Sequence, residues 1–234
     1  MDSHELIVLR GNLPADSIFT RLSDDEIATH MRIKKYGQFI LTQAVGPAYD
    51  FQPESGFKYL KPQDNESGRS VPIIAVSVSS QKILDLFFEL ARLLGGQTPN
   101  NTVTIFLMTS HFKNIGEGLL KINGEPDLGY EGQDIFSLLS ILAEYENLLL
   151  NDGCTGIAIT SQECKMEVAL DEHKTIFFYN YRHLQDQILD IFKNFNIQEK
   201  PSLRLIAEGE HLHKTERKYI FELDRLMTRL EGNS

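Results

Sequence analysis

An α/β fold (or an α+β one) built from two related halves is what this sequence predicts, and three observations carry it. Apolar runs of strand length alternate with longer stretches of helical period. The order strand, helix, strand, helix occurs twice, over Val71–Leu150 and over Thr175–Leu230, with two strand candidates ahead of each. The first helices of the two units also share a motif. Ile83-Leu84-Asp85-Leu86-Phe87 stands against Ile188-Leu189-Asp190-Ile191-Phe192, and the two differ only at Leu86 and Ile191. The expected architecture is two ββ-βαβα halves, mixed sheets with helices packed on them, in a pseudo-two-fold arrangement. Residues 1–150 form the first half, with an N-terminal strand–helix extension and a Gly-rich insertion at 111–133; residues 151–234 form the second.

Leu6–Leu9 reads as a strand ended by Gly11. Ser23-Asp24-Asp25-Glu26 is a capping box that opens a helix running to about Lys35, with acids at its start and bases at its end as the helix dipole prefers. Phe39–Val45 and Phe57–Leu60 are strand candidates, and the polar stretch Lys61–Ser70 is a loop. Val71–Val78 is nearly continuous in apolar residues, which suits a strand covered on both faces. Ser79 and Ser80 are placed to cap the helix Gln81–Leu94. Its polar stripe is only Lys82, Asp85, Glu89 and Arg92, so most of its circumference must be covered, by the other half or by a second subunit.

Gly95-Gly96 ends that helix, Pro99-Asn100-Asn101 turns, and Thr102–Thr109 is the next strand. Within the Gly-rich stretch a short strand is expected at Leu119–Ile122, followed by a helix over about Asp134–Leu150. Thr155–Thr160 and Lys165–Leu170 form a hairpin, and Asp171-Glu172-His173-Lys174 turns into the strand Thr175–Tyr181. Helix Leu184–Phe195, strand Leu203–Ala207 and a helix over Thr215–Leu230 complete the chain.

Composition narrows the function. The formal charge of −10 and the lack of a strong basic run speak against nucleic acid as a partner. The basic groups Arg32, Lys34, Lys35 and Lys214, Arg217, Lys218 fit helix ends and an acid-interleaved helix. No apolar stretch is long enough to span a bilayer, and Met1-Asp2-Ser3-His4-Glu5 does not open like a signal peptide, so a cytoplasmic location with no membrane partner is expected. Cys154 and Cys164 flank a hairpin; a bridge is geometrically feasible, and two reduced thiols is the simpler expectation.

Walker, GxGxxG, HExxH, GxSxG and CxxC patterns are all missing, and no cofactor is implied. The best chemical candidate is Glu208-Gly209-Glu210-His211-Leu212-His213. In extended chain His211 and His213 point the same way and offer two imidazoles to a metal ion, with Glu208 or Glu210 as a carboxylate. A polar loop leading into a helix competes with that reading. Asp171–Lys174 pairs an acid with His173 but reads first as a hairpin turn. His111 follows a strand in the first half as Glu208–His213 follows its counterpart. The expected function is a non-catalytic module that binds a protein partner or associates with itself; the alternative is a metal-dependent hydrolase or small-ligand-binding protein with its site near Glu208–His213.

Overall fold

The computed structural model describes residues 6–10, 35–47, 51–64, 70–110, 127–161, 163–209 and 211–232. Twelve strands and five α-helices occur among them. Strands β5 (Gly56–Asp64), β6 (Ser70–Ser77), β7 (Thr102–Thr109), β8 (Asp127–Asp134), β9 (Thr155–Ser161), β10 (Met166–Leu170) and β11 (Ile176–Tyr179) form a seven-stranded sheet in the order β5-β6-β11-β10-β9-β7-β8. A second sheet of three strands has β12 (His211–Glu216) at its centre, between β1 (Leu6–Arg10) and β4 (Val45–Pro47). The small hairpin β2 (Lys35–Tyr36) and β3 (Phe39–Ile40) stands apart.

The fold is therefore mixed α/β, as the alternation of patterns predicts, but the sheets are not mixed in the sense expected. Every pairing between the named strands is antiparallel, and parallel character is confined to one isolated bridge, Phe57 with Glu199. The physical reason is the connections. β9, β10 and β11 are joined by tight turns, which only antiparallel neighbours allow.

The helices are α1 (Ser80–Gly95), α2 (Ile135–Glu144), α3 (Glu146–Asn151), α4 (Gln185–Asn194) and α5 (Arg217–Glu231). They pack on one face of the seven-stranded sheet. The resulting core joins Ile74 and Val76 of β6, Ile157 and Ile159 of β9, and Val168 and Leu170 of β10 to Leu86, Phe87 and Leu90 of α1, Leu138 of α2, Phe192 of α4 and Leu223 of α5. On the other face, Leu203 and Leu205 cover Ala75 of β6. Burial on both sides explains why β6 is apolar at successive positions rather than alternate ones. α1 is covered within the chain, by β9, β10 and the neighbouring helices, so its wide apolar surface needs no second subunit.

Several elements fall elsewhere than expected. Leu203–Ala207 is not a strand; the chain there turns over the sheet into a 3-10 turn at Ile206–Glu208, and the strand forms at His211–Glu216. The helix expected over 134–150 breaks at Tyr145 into α2 and α3, and Asp134 caps the first by accepting from the Ser137 amide at 2.8 Å. Ser79 is the N-cap of α1 by position, but its hydroxyl serves another segment: Oγ accepts from the Ile40 amide at 3.1 Å. The helix over 23–35 and the short strand over 119–122 lie outside the described residues, apart from Lys35 itself, which opens β2.

The two sheets meet at Gly153, just after α3. Its amide donates to the Lys214 carbonyl of β12 at 2.8 Å. A Cβ at this position would lie 2.3 Å from the Ala44 carbonyl oxygen and 2.8 Å from that of Lys214, both rigid backbone atoms. Only glycine lets the two backbones approach this closely. Gly153→Ala is expected to cost about 2 kcal/mol or more of stability, since overpacking against backbone cannot be relieved by a rotamer change. Urea denaturation monitored by circular dichroism measures it, and an unchanged midpoint would show that the contact does not matter.

Candidate metal centre

His211 and His213 lie on β12, which is extended along its whole length, so the two side chains share one face of the small sheet. β12 pairs with β4 through His211 with Pro47 and His213 with Val45, and with β1 through His213 with Leu9. That central place makes the geometry rigid and buries both rings, to 7% and 8% exposure. His173 comes from the other sheet. It sits in the turn between β10 and β11, closed by the Asp171 and Thr175 backbones and by a left-handed Lys174.

The three rings converge. His173 Nε2 lies 3.0 Å from His211 Nε2, which lies 3.1 Å from His213 Nε2. One ligand atom from each ring fits within a sphere where all lie within 4.8 Å of one another. Nitrogens bound to one tetrahedral ion at about 2.0–2.1 Å would stand about 3.3 Å apart; the two contacts at His211 Nε2 are near that spacing, and the third pair lies within 4.8 Å.

The opposite ring nitrogens fix the tautomers. His211 Nδ1 donates to the Gly209 carbonyl at 2.8 Å, and His213 Nδ1 donates to the Gly153 carbonyl at 2.6 Å. A carbonyl oxygen only accepts, so in the neutral rings the proton is on Nδ1 and the Nε2 lone pair faces the centre. His173 Nδ1 donates to Asp171 Oδ2 at 2.8 Å, and Asp171 Oδ1 is itself locked by the Thr175 amide at 2.7 Å. When all three rings are neutral, three lone pairs thus meet with no hydrogen between them. A proton on His173 Nε2 relieves only the contact with His211. The His211–His213 contact still lacks one.

Supporting groups surround the rings. Asp152, fully buried, accepts from the Cys154 amide and from Thr155 Oγ1 at 2.6 Å, shaping the bend that presents the Gly153 carbonyl. Lys174 is buried and donates from Nζ to the Thr155 carbonyl at 2.7 Å. Burial pulls its ammonium down to about 8, against the opposing pull of Asp152, Asp171 and Glu172. Three carboxylates therefore gather around a single ammonium, a local charge that suits an added cation. Cys154 is a free, buried thiol pushed up to about 12 by burial and then by Asp152, and Cys164 is also free. The thiols are unbridged.

Of the residues read from the sequence, His173, His211 and His213 are brought together. Glu208 turns elsewhere: Oε1 pairs with Lys58 Nζ at 2.6 Å and Oε2 accepts from the Leu205 amide at 2.9 Å. His111 and Glu210 lie outside the described residues. Asp171–Lys174 is the hairpin turn its polarity suggests, and it also delivers His173. Gly153, Asp152 and Ser110 carry no recognisable signal in the sequence. Only the three-dimensional meeting of residues far apart in the chain gives them a role.

Burial lowers the basicity of His211 and His213, and the neighbouring His173 lowers both further. His173 is also pushed down by burial, but its Asp171 hydrogen bond and charge, with Glu172, outweigh that and raise it. A histidine held neutral by the fold binds fewer protons than its unfolded form below the ordinary value of about 6.5, so stability falls as pH drops through that region. His173 acts in the opposite sense: its contribution is present below about 6.5 and is lost as pH rises through its raised value. Two depressed groups against one raised group predict net acid loss in the metal-free protein, up to about 1.4 kcal/mol per pH unit for each proton excluded. Denaturation between pH 7.5 and 5 should show it, with a flatter profile for His211→Ala/His213→Ala; identical profiles would refute the assignment. No family model matches this chain, and no curated protein or solved structure does either.

Proposed function

We propose that this chain binds a divalent transition-metal ion of the zinc class through the Nε2 atoms of His173, His211 and His213, and that the ion serves metal-assisted hydrolysis. The observation that carries the reading is the common orientation of the rings: each Nδ1 is engaged behind its ring, and each Nε2 faces the others. Neutral imidazoles with the second nitrogen hydrogen-bonded to a carboxylate or carbonyl are the usual donors to zinc and its neighbours. Three protein ligands leave a fourth position for water, which is the pattern of catalytic rather than structural zinc. His173 keeps 15% of its side chain exposed, while His211 and His213 are buried. An ion there polarises a bound water or a carbonyl oxygen, and hydrolysis of an ester or amide is the reaction class this supports.

The two-halves reading is retained as a proposal for the divisions 1–150 and 151–234. It is supported by two hairpin–helix units, β5–β6 with α1 and β10–β11 with α4, whose strands β6 and β11 pair side by side. The association reading has lost the argument from α1. What favours it now is the exposure of Phe136 on α2 and Phe221 on α5, at 56% and 60%.

Metal-stripped protein titrated with zinc is expected to take up one equivalent and to melt at a higher temperature once loaded, because the ion binds only the folded arrangement. His211→Ala/His213→Ala should abolish both effects. Absence of stoichiometric uptake by the wild type would sink the reading. Asp171→Asn, which removes the charge behind His173, should weaken zinc binding by about 10- to 100-fold in competition with a chelating dye. An unchanged affinity would show that the carboxylate does not tune the ligand.

A further inference from the structure

Helices α2 and α5 share a surface that is open to solvent. A groove of about 820 Å³ runs between them, with Ser140, Ile141 and Glu144 on one wall and Arg225, Thr228 and Arg229 on the other. Phe136 and Phe221, the large apolar side chains that stand exposed among the described residues, belong to the same surface. Each lies four residues before a groove-lining residue, Phe136 before Ser140 and Phe221 before Arg225. Residues four apart share a helix face. α5 runs back along α2 and α3: Glu222, near its start, feels the charge of Asp152 after α3, and Glu231, at its end, acts on Tyr130 of β8, ahead of α2. The two rings therefore stand toward opposite ends of the groove.

The walls carry opposite charge. Glu144 ends α2 and Glu146 opens α3, while Arg225 and Arg229 lie on α5. Within one chain these charges do little for each other. Arg229 and Glu144 stand 3.9 Å apart with 60% and 62% of their side chains exposed, and such surface pairs contribute little. Arg225 makes no hydrogen bond or ion pair among the described residues, and its charge reaches Glu222 on its own helix. A face with an acidic and a basic half is complementary to itself. A two-fold axis along the groove sets α2 of each copy over α5 of the other, so the acidic wall meets the basic one twice. A partner of a single charge would satisfy only one wall.

We propose that the α2–α5 face is the interface of a two-fold dimer of this chain, a proposal that deepens the association reading and rests on it. Glu144 of each copy meets Arg225 and Arg229 of the other, which fixes the register. Phe136 and Phe221 give the contact its apolar area. Aromatic and arginine side chains are the usual anchors of such interfaces.

Sedimentation velocity over about 1–100 μM, the range in which a weak specific interface dissociates, tests this on the full chain. Wild type is expected to shift from monomer to dimer with concentration. Phe136→Glu and Phe221→Glu, on different helices and at exposed positions, should each keep the wild-type circular dichroism and weaken the dimer by about tenfold or more. Arg229→Glu should weaken it as well, and Arg229→Glu/Glu144→Arg should recover most of the loss, because the exchanged charges still meet across the axis. A wild type that stays monomeric throughout overturns the proposal and removes self-association with it. A dimer that is indifferent to both phenylalanine substitutions overturns the proposal and leaves association standing on another face. A charge exchange that recovers nothing overturns the pairing of α2 with α5 of the second copy.

Discussion

Each ring of the histidine cluster is held by the nitrogen that faces away from the others, and that constraint organises the rest of the site. The Gly153 carbonyl can hold His213 only because the bend at 152–155 turns it toward β12. That bend depends on Asp152, which is buried and engaged by the chain around it. The Gly209 carbonyl that holds His211 directly follows the turn at Ile206–Glu208, two residues before the first residue of β12. Buried polar groups must find partners, so each carbonyl and each imidazole stabilises the placement of the other.

The cluster also joins two separately hydrogen-bonded sheets. His173 belongs to the seven-stranded sheet by way of the β10–β11 turn, while His211 and His213 belong to the three-stranded one. The other link at this point is backbone to backbone, from the Gly153 amide to the Lys214 carbonyl. Glycine at 153 and a strand at 211–216 are therefore requirements of the same contact: one permits the approach, and the other supplies the imidazoles.

The sequence made the helices and the hairpins legible because they follow from local pattern. The strand Thr102–Thr109 is found where its apolar centre puts it, and β9 and β10 pair as the spacing around Gln162–Lys165 requires. What pattern cannot supply is the pairing of distant segments. The stretch Glu208–His213 reads as polar, and polarity argues for a loop. Partners in β1 and β4 make the chain from His211 onward a strand instead. Likewise β12 and the turn at 171–174 each carry half of the centre, and neither half differs from ordinary sequence taken alone. The His-x-His spacing was informative only in that a strand puts i and i+2 on one face.

A purely structural histidine cluster would be built differently. Buried imidazoles that serve packing alternate donor and acceptor, so that each ring gives a proton to the next and the chain ends on a carbonyl or a hydroxyl. Here every outward nitrogen already donates, to Asp171, Gly209 and Gly153, and the inward nitrogens have none left to share. Protonating His173 adds one hydrogen where two contacts need one, and it does so beside two rings whose burial resists any charge. On the proposed metal reading, a cation at the centre would meet all three lone pairs together, and Asp152, Asp171 and Glu172, whose charges act on Lys174, would supply compensating charge. That difference is what favours the proposed ion over a single proton on His173.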